Sequence, residues 1–168
     1  IPHLSMSVAT IVADSSGGVW VGGERTIRLL DPAGVERVRV DVPGDVQGIA
    51  GAPDGTVWAV CRLGEALELV HATPPGRVLL RKPLGVSGRD AWGSVALHPD
   101  GTVWIGHGQP GGLLQANASG EILRRVDLAS ASGSHAVDGR GHVWTFSFSD
   151  RSATRIGARD EPEVFPVP

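Results

Sequence analysis

The chain has 168 residues, of which 41% are hydrophobic, and it carries a formal net charge of −3. This charge argues against proteins that bind nucleic acids or anionic membranes through a basic excess, and no apolar run reaches the roughly 18 residues of a membrane helix. The length suits a single domain over residues 1–168. The 24 Gly and 12 Pro residues disfavour long helices, because both residue types destabilise a helix interior.

The single cysteine, Cys61, rules out an internal disulfide and a cysteine-rich zinc site. The chain begins at Ile1 and lacks a basic segment followed by an apolar one, so we expect no signal peptide in these residues. We interpret the chain as a processed or excised piece of a bacterial protein. The sequence does not identify the cellular compartment of the protein. A soluble protein is expected, and secretion or another extracytoplasmic location fits.

A repeat runs through the chain, marked by Val-Trp pairs that each follow a tight turn. The Trp residues of these pairs are 38, 46 and 40 positions apart. Pro-Asp-Gly precedes two of the pairs, and Gly tolerates the positive φ that such turns require. The four pairs are Val19-Trp20, Val57-Trp58, Val103-Trp104 and Val143-Trp144.

Each repeat predicts four short strands, taken in chain order. A run of small and apolar residues comes before the turn, the Val-Trp strand follows it, and two more β-like runs complete the unit. The first runs are 9–13, 48–52, 94–97 and 134–137. The last two runs of each unit are 26–30 and 35–42, 66–71 and 77–80, 112–116 and 121–128, and 153–158 and 163–167.

Four strands in about 41 residues are typical of a β-propeller blade. We therefore predict an all-β protein, a β-propeller of four four-stranded antiparallel blades. The blades are placed at about residues 1–43, 44–84, 85–130 and 131–168. The alternative is a long β-sandwich whose hairpins resemble one another by chance.

Two of the repeats also resemble known propeller families. Residues 48–58 read GIAGAPDGTVW, and residues 95–106 read VALHPDGTVWIG. Both resemble the repeats of virginiamycin B lyase-like propellers. The second is also similar to the repeats of two-component-regulator sensor propellers and NHL propellers. The resemblance implies the propeller fold, and for the lyase-like family it implies a magnesium ion held by acidic and His residues near the axis.

The chain departs from the lyase-like pattern at the positions that would carry the chemistry. In that family Phe-Thr-Glu typically follows the repeat Trp. Here the third residue after Trp is Gly23, Cys61, His107 or Ser147, and none is Glu. Gluconolactonase-like propellers place acidic residues and Asn around an axial metal, but Asn117 is the only Asn here and lies in a turn. We therefore predict no cofactor, with Mg²⁺ as the ion if the protein is lyase-like, and no confident metal ligand.

The number of blades does not decide whether the propeller ring closes within this chain. Most related propellers have six to eight blades. The chain therefore forms a small closed ring, is part of a larger propeller whose remaining blades lie elsewhere, or pairs with a second copy as a homo-oligomer. An unclosed edge blade would present an uncovered face and promote association. We expect completion of a larger ring by a second copy or by further blades.

The predicted strand order places the loops after the Val-Trp strands and the links between blades on one face. By analogy with other propellers, we expect a small molecule or a protein to bind there. The candidate ligand-binding residues on this face are Arg62, Arg89, Asp90, Trp92, His107, Gln109 and His135. Further polar residues there are Glu24, Arg25, Asp45, Glu65, Asp150 and Arg151.

Two of these residues, His135 and His107, are also candidate catalytic residues. His135 occupies a position that is aliphatic in the other three repeats, so it is either a ligand or acid–base residue at the channel mouth or a core His bonded to a backbone carbonyl. His107 follows Ile105-Gly106, and we expect its side chain to reach solvent. No metal-binding spacing connects the remaining His residues.

The Trp residues are expected to have two roles. The four repeat Trp residues should be buried and equivalent core residues. Trp92 has no counterpart in the other repeats, so it is either a binding anchor or a side chain that packs over the channel mouth.

We therefore predict a non-catalytic ligand- or protein-binding, sensory propeller module that binds on the loop face. The first alternative is a divalent-cation-dependent enzyme related to virginiamycin B lyase, which would use His107 and His135. The second is a structural or assembly fragment of a propeller.

Overall fold

The computed structural model describes residues 8–87, 92–108, 111–128, 134–147, 150–157 and 162–167. These residues form sixteen strands and no helix, so none of them belongs to a helix long and apolar enough to cross a membrane. The first sheet contains β1 (Val8–Ala13), β2 (Val19–Gly23), β3 (Thr26–Leu30) and β4 (Glu36–Asp41), and the second contains β5 (Asp45–Gly51), β6 (Val57–Leu63), β7 (Ala66–Ala72) and β8 (Val78–Ser87). The third contains β9 (Gly93–Leu97), β10 (Val103–His107), β11 (Gly112–Ala116) and β12 (Ile122–Asp127), and the fourth contains β13 (His135–Val137), β14 (Val143–Ser147), β15 (Ser152–Ile156) and β16 (Glu163–Pro166).

Each sheet is an antiparallel meander in which strands that follow each other in sequence are neighbours. The first strands of consecutive sheets, β1, β5, β9 and β13, lie side by side along the inner edge of the molecule. This is the architecture of a β-propeller with four blades, as the repeat predicted. The Val-Trp strand is second from the axis in every sheet.

The turns between strands follow the local chemistry of the repeat. At the turn between β5 and β6, the Asp54 carboxylate accepts hydrogen bonds from the Thr56 backbone N–H and hydroxyl at 3.0 and 2.7 Å. Gly55 follows Asp54 with a φ of 81°, which a residue with a Cβ adopts only at a cost. Asp100 and Thr102 repeat the arrangement at the turn between β9 and β10. These local bonds align the inner strand with the Val-Trp strand.

The hydrophobic core lies between the sheets, and three of the repeat Trp residues are part of it. Trp20 packs between the first and second sheets, Trp58 between the second and third, and Trp104 between the third and fourth. All three are buried. Each Trp therefore points from its own sheet toward the next one along the chain.

Trp144 is not buried like the other three, which corrects the prediction that the four Trp residues are equivalent. It points in the same direction as they do, but the fourth sheet is the last one formed by the described residues, and no further sheet of these residues covers it. At the opposite end of the array Ile11 on the first sheet is 64% exposed, whereas its cross-strand neighbour Val21 is buried. Among the described residues, β13 and β1 do not pack together as consecutive inner strands do.

One outer strand is longer than predicted. The sequence predicted residues 77–80, whereas β8 extends from Val78 to Ser87. The strand continues past Pro83 because a register shift between Ala66 and Glu68 restores its pairing with β7 beyond the proline. Residues 85–87, which we had expected to belong to a link between blades, are therefore strand, and Leu84 and Val86 of β8 join the core between the second and third sheets.

Candidate functional site

The strand order places two kinds of connection at opposite ends of the sheets. The loops after β2, β6, β10 and β14 and the links between sheets emerge at one end, which we call the loop face. The Asp-Gly turns and the turns between the last two strands of each sheet emerge at the other end, which we call the turn face. This agrees with the geometry expected from the sequence.

A cavity of about 530 Å³ opens on the loop face between the third and fourth sheets. Four hydroxyl side chains line it in two cross-strand pairs, Thr145 with Thr154 and Ser147 with Ser152. Three of these, Thr145, Ser147 and Ser152, are buried. The carboxylates of the exposed Asp127 and Asp150 lie at its rim, and no basic side chain of the described residues lines it. We call this cavity the hydroxyl cleft.

The positions of the Thr145–Thr154 pair carry aliphatic side chains in the second and third sheets and a Val21–Arg28 pair in the first. In the second sheet, Ala59 pairs with Val70 at the place of the Thr145–Thr154 pair. In the third sheet, Ile105 pairs with Leu114 there. These aliphatic side chains fill the space between sheets, whereas the hydroxyl side chains of the fourth sheet leave a cavity with hydrogen-bonding walls. The cleft can therefore accept a polar ligand with hydrogen-bond donors.

The hydroxyl cleft was not among the sites predicted from the sequence. The signal is present as an alternation of Thr and Ser at residues 145, 147, 152 and 154. Its meaning depends on which side of the strand faces the third sheet, and the residue pattern alone does not give that side. Asp150 was considered only as one polar residue among many.

His135 lies between the third and fourth sheets with both ring nitrogens hydrogen-bonded. Nε2 donates to the Trp104 carbonyl at 2.9 Å, so Nδ1 accepts from the Ser94 hydroxyl at 2.7 Å. Burial lowers the pKa of the ring, although the bond to Trp104 opposes this shift. This geometry matches the alternative of a core His bonded to a backbone carbonyl, and it joins two blades.

His107 is buried, so the expectation that its side chain reaches solvent is wrong. The residue is the last of β10 and lies beside two glycines of the neighbouring strands, Gly93 and Gly112. A Cβ at Gly112 would lie 2.8 Å from Nε2 of His107, so the missing side chain makes room for the ring. His107 lines a small cavity of about 230 Å³ on the loop face together with Arg125 and Asp127.

The other predicted ligand residues are spread over the loop face. Arg62 is half-buried near the end of β6, opposite Asp45 of the inner strand. Trp92 is half-buried, its carbonyl accepts a hydrogen bond from the Gly108 backbone N–H at 3.2 Å, and its indole packs closely on Gly108. Neither residue lines the hydroxyl cleft. Arg89, Asp90 and Gln109 lie outside the described residues.

A second large cavity, of about 690 Å³, lies on the turn face among the second, third and fourth sheets. Its walls include Trp58, His71 and the turn residues Asp54, His98 and Asp138. These polar groups are committed to the turns. His98 Nε2 donates to the Gly141 carbonyl at 2.8 Å, and Asp138 accepts from the Trp144 indole N–H at 3.0 Å.

The metal site implied by the lyase-like resemblance has no set of ligands within the described ranges. There, no group of three or more His, Cys, Asp or Glu side chains converges closely enough to hold a metal ion. His107 and His135, the two residues considered for such chemistry, are packed between different pairs of sheets. The described residues therefore do not fit a magnesium site of this kind.

Comparison with known proteins shows the fold. No protein family model matches the chain, and no curated protein matches its sequence. Among solved structures, a catalytically inactive virginiamycin B lyase from Staphylococcus aureus with quinupristin superposes with a TM-score of 0.83 and 19% identity, covering 100% of this chain and 58% of that one. The WD40 repeats of RRP9 superpose with a TM-score of 0.79 and 11% identity, covering 98% of this chain and 52% of that one.

The calcium-binding protein regucalcin from Agrobacterium tumefaciens is a third similar structure, with a TM-score of 0.68 and 15% identity. The match covers 98% of this chain and 62% of regucalcin. The chain thus spans less than two thirds of each of these propellers. At such identities the likeness establishes the β-propeller fold.

Proposed function

We propose that the chain is a non-catalytic binding module that holds a small polar ligand in the hydroxyl cleft on the loop face. The observation that carries the proposal is a cavity of about 530 Å³ lined by two cross-strand hydroxyl pairs, one of which, Thr145–Thr154, stands where the second and third sheets have aliphatic pairs. Cavities of this size are typical of small-molecule sites. A hydroxyl can both donate and accept a hydrogen bond. The Thr145 hydroxyl donates to the Ser134 carbonyl and the Ser147 hydroxyl bonds the Asp150 carboxylate, so Ser152 and Thr154 supply the hydroxyls for a ligand.

The charge at the rim favours a class of ligand. Asp127 and Asp150 bring two carboxylates to the cleft, and no basic side chain of the described lining opposes them. Such a site favours ligands with hydroxyl or ammonium donors over anions, so polyols, amino sugars and small amines are the expected class. Arg62, Trp92 and the other predicted loop-face residues remain candidates for contacts with a larger ligand or a protein.

A thermal-shift screen tests this proposal with a panel of polyols, amino sugars, primary amines and carboxylic acids. A ligand that binds only the folded state raises its stability by about 2.7 kcal/mol at one hundred times the dissociation constant. We expect compounds with hydroxyl or ammonium groups to raise the melting temperature and the acids to leave it unchanged. The proposal is wrong if no compound of the first class stabilises the protein.

Matched variants locate the site. Thr154→Val removes a hydroxyl from the cleft with almost no change in shape, and we expect it to reduce the ligand-induced shift. Thr73→Val makes the same change in the turn between β7 and β8 on the turn face, and the shift should persist. Equal shifts in both variants would mean that the ligand binds elsewhere.

The alternative of a lyase-like enzyme is supported by the propeller fold that the chain shares with virginiamycin B lyase. Against it, both ring nitrogens of His135 are engaged in bonds that hold the third and fourth sheets together. We expect incubation with Mg²⁺ and quinupristin to leave the chromatographic retention of quinupristin unchanged. Conversion of quinupristin would overturn the non-catalytic assignment.

A further inference from the structure

The contact between the third and fourth sheets, which we call the third joint, differs in composition from the two joints before it. Among the described residues, eleven buried hydrophobic residues form the core of the first joint and twelve that of the second, but only five form that of the third. The hydroxyl pairs of the cleft occupy another part of the third joint. Because burial of apolar surface is the main source of attraction between packed sheets, the third joint depends more on polar contacts than the others do.

Side-chain hydrogen bonds from one sheet to the next are a feature of the third joint. Within the described part of the chain, such bonds connect the third sheet with the fourth and no other pair of sheets. Three side chains make them. They join His135 to the Ser94 hydroxyl and the Trp104 carbonyl, His98 to the Gly141 carbonyl, and Arg124 to the Gly157 carbonyl at 2.8 Å.

These bonds lie at different ends of the joint. His98 and Gly141 belong to turns on the turn face, and Gly157 follows the end of β15 on the same side. His135 is instead the first residue of β13, where the chain enters the fourth sheet from the loop face. It is also directly opposite Thr145, a buried wall residue of the hydroxyl cleft. His135 is therefore the fastening of the joint nearest the cleft.

The bonds at the turn face persist when the pH falls. The Asp100 carboxylate lies 2.7 Å from Nδ1 of His98. A protonated His98 ring can donate from Nδ1 to this carboxylate and from Nε2 to the Gly141 carbonyl, so protonation leaves the bond between the sheets in place. Arg124 donates from a guanidinium, whose N–H groups are present throughout the range.

The ring of His135 has no charged side chain beside it among the described strands. β9 and β14 contain no titratable residue, and neither do residues 128–134 that lead into β13. His107, the titratable residue of β10, lies instead in the small cavity with Arg125 and Asp127. A positive charge on the His135 ring thus has no carboxylate of the described residues to pair with. The charged residues of the link before β9, which lie outside the described residues, are Arg89 and Asp90.

We propose that His135 is an acid-sensitive latch of the third joint, whose protonation frees the fourth sheet at the loop face so that it turns about the His98 and Arg124 bonds and opens the hydroxyl cleft. Protonation places a hydrogen on Nδ1, which can then no longer accept from the Ser94 hydroxyl, and it leaves an unpaired charge between the sheets. Opening exposes this charge to water. The opening requires no ligand in the cleft, so it stands apart from the proposed function.

The size of the effect follows from the binding of one proton. Burial lowers the pKa of His135, so the closed joint holds the neutral ring and the open joint takes up the proton more readily. The closed joint is therefore most stable above about pH 6.5, and opening increases as the pH falls below that value. For one proton, the open fraction rises by up to about tenfold between pH 7.5 and pH 5.5.

A buried thiol in the cleft measures the opening. Thr145→Cys places the thiol opposite His135, and 4,4′-dithiodipyridine labels it only when the joint opens. The labelling rate is divided by the rate for the same thiol in the urea-unfolded protein at the same pH, which removes the pH dependence of the thiol itself. We expect this relative rate to rise by up to about tenfold from pH 7.5 to pH 5.5.

Cys61 is an internal reference, because it is buried in the core of the first joint. Mass spectrometry of the labelled peptides distinguishes the two thiols. The relative rate of the introduced thiol should exceed that of Cys61 by at least about tenfold at both pH values, because the third joint opens more often than the whole protein unfolds. Equal relative rates would mean that both thiols react through global unfolding, and they would overturn the proposal.

Two histidine variants in the Thr145→Cys background assign the effect. His135→Gln keeps a donor and an acceptor in the joint but does not titrate, so the relative rate should change less than about twofold between the two pH values. His142→Gln removes another histidine of the fourth sheet, whose ring bonds Asp138 within that sheet, and the rise should persist. The proposal is wrong if the rise survives in His135→Gln, if it disappears in His142→Gln, or if the parent variant shows none.

Two further measurements cover variants that do not fold. Ser152→Cys is a second reporter, since Ser152 is also buried in the cleft, and it should give the same pH dependence as Thr145→Cys. An NMR titration of the wild-type protein follows the His135 ring without any substitution. The ring should bind its proton at a lower pH than histidine in the unfolded chain, and titration at or above pH 6.5 would overturn the latch.

Discussion

The imidazole of His71 lies flat on the indole of Trp58, with ring centroids 4.0 Å apart and planes 4° apart. The two residues are directly opposite each other on β6 and β7. His71 Nε2 also shares a hydrogen bond with the Thr56 hydroxyl at 2.9 Å, so the stacked pair is tied to the turn between β5 and β6.

This stacking leads to a prediction about pH. Burial lowers the pKa of His71 below its ordinary value of 6.5, although the Asp54 charge opposes the shift. The unfolded chain therefore takes up a proton at a higher pH than the folded protein does, so the stabilisation is complete above about pH 6.5 and declines as the pH falls toward the folded pKa. Burial lowers the pKa of His135 as well, which adds to the same trend.

Urea denaturation between about pH 7.5 and pH 5 measures the effect. We expect the free energy of unfolding to fall over this range in the wild-type protein. The loss should be smaller in His71→Phe, which keeps an aromatic ring on Trp58 but cannot bind a proton. An identical decline in both proteins would show that His71 titrates alike in the folded and unfolded states.

The repeat Trp residues should differ in their contribution to stability. Trp20→Ala removes a fully buried side chain and should cost about 3–5 kcal/mol of the free energy of unfolding. Trp144→Ala makes the same change where no further sheet covers the ring, so it should cost less than half as much. Denaturant unfolding of the two variants gives the comparison, and equal losses would show that Trp144 is as well packed as Trp20.

His135 should act on stability through its two hydrogen bonds. His135→Leu keeps an apolar side chain in the joint but removes the partners of the Trp104 carbonyl and the Ser94 hydroxyl. Leaving such buried groups without partners costs about 1–3 kcal/mol. Adding Ser94→Ala should recover part of the loss, since the hydroxyl then no longer needs a partner. A variant as stable as the wild type would contradict this role.

Cys61 should be chemically inert in the folded protein. It is fully buried, and burial raises the pKa of its thiol to about 12, so the reactive thiolate is scarce. We expect no reaction with Ellman's reagent at about pH 8 in native conditions and complete reaction in denaturant. Rapid labelling of the native protein would show that the second sheet opens readily.

Much of the fold could be predicted from local signals in the sequence. The Asp-Gly turns and the period-two alternation specify where strands begin and pair, because turn hydrogen bonds and backbone conformation involve neighbouring residues. The spacing of the Val-Trp pairs then gave the number of sheets, and the recurrence of Trp predicted burial, which holds for the first three. The strand ends were less predictable, as the long strand β8 shows.

The candidate site depended on contacts between sheets, which no local pattern encodes. His107 looked like a loop residue, but Gly112, opposite it on β11, leaves the space that its buried ring occupies. His135 looked like a ligand, but its partners Ser94 and Trp104 lie more than thirty residues earlier. The hydroxyl cleft exists only because the side of the fourth sheet that carries Thr and Ser faces the third sheet.

The sequence by itself therefore determined the repeat and the four meanders. Only the tertiary structure decided which neighbouring sheet contacts each face of a sheet. Equivalent residues therefore have different surroundings, because these depend on the position of their blade in the array. Trp20 and Trp144 occupy the same place in their repeats, yet one is sealed by the following sheet and the other is not. The burial of a residue depends on the sheet that packs against it, and that sheet is distant in sequence.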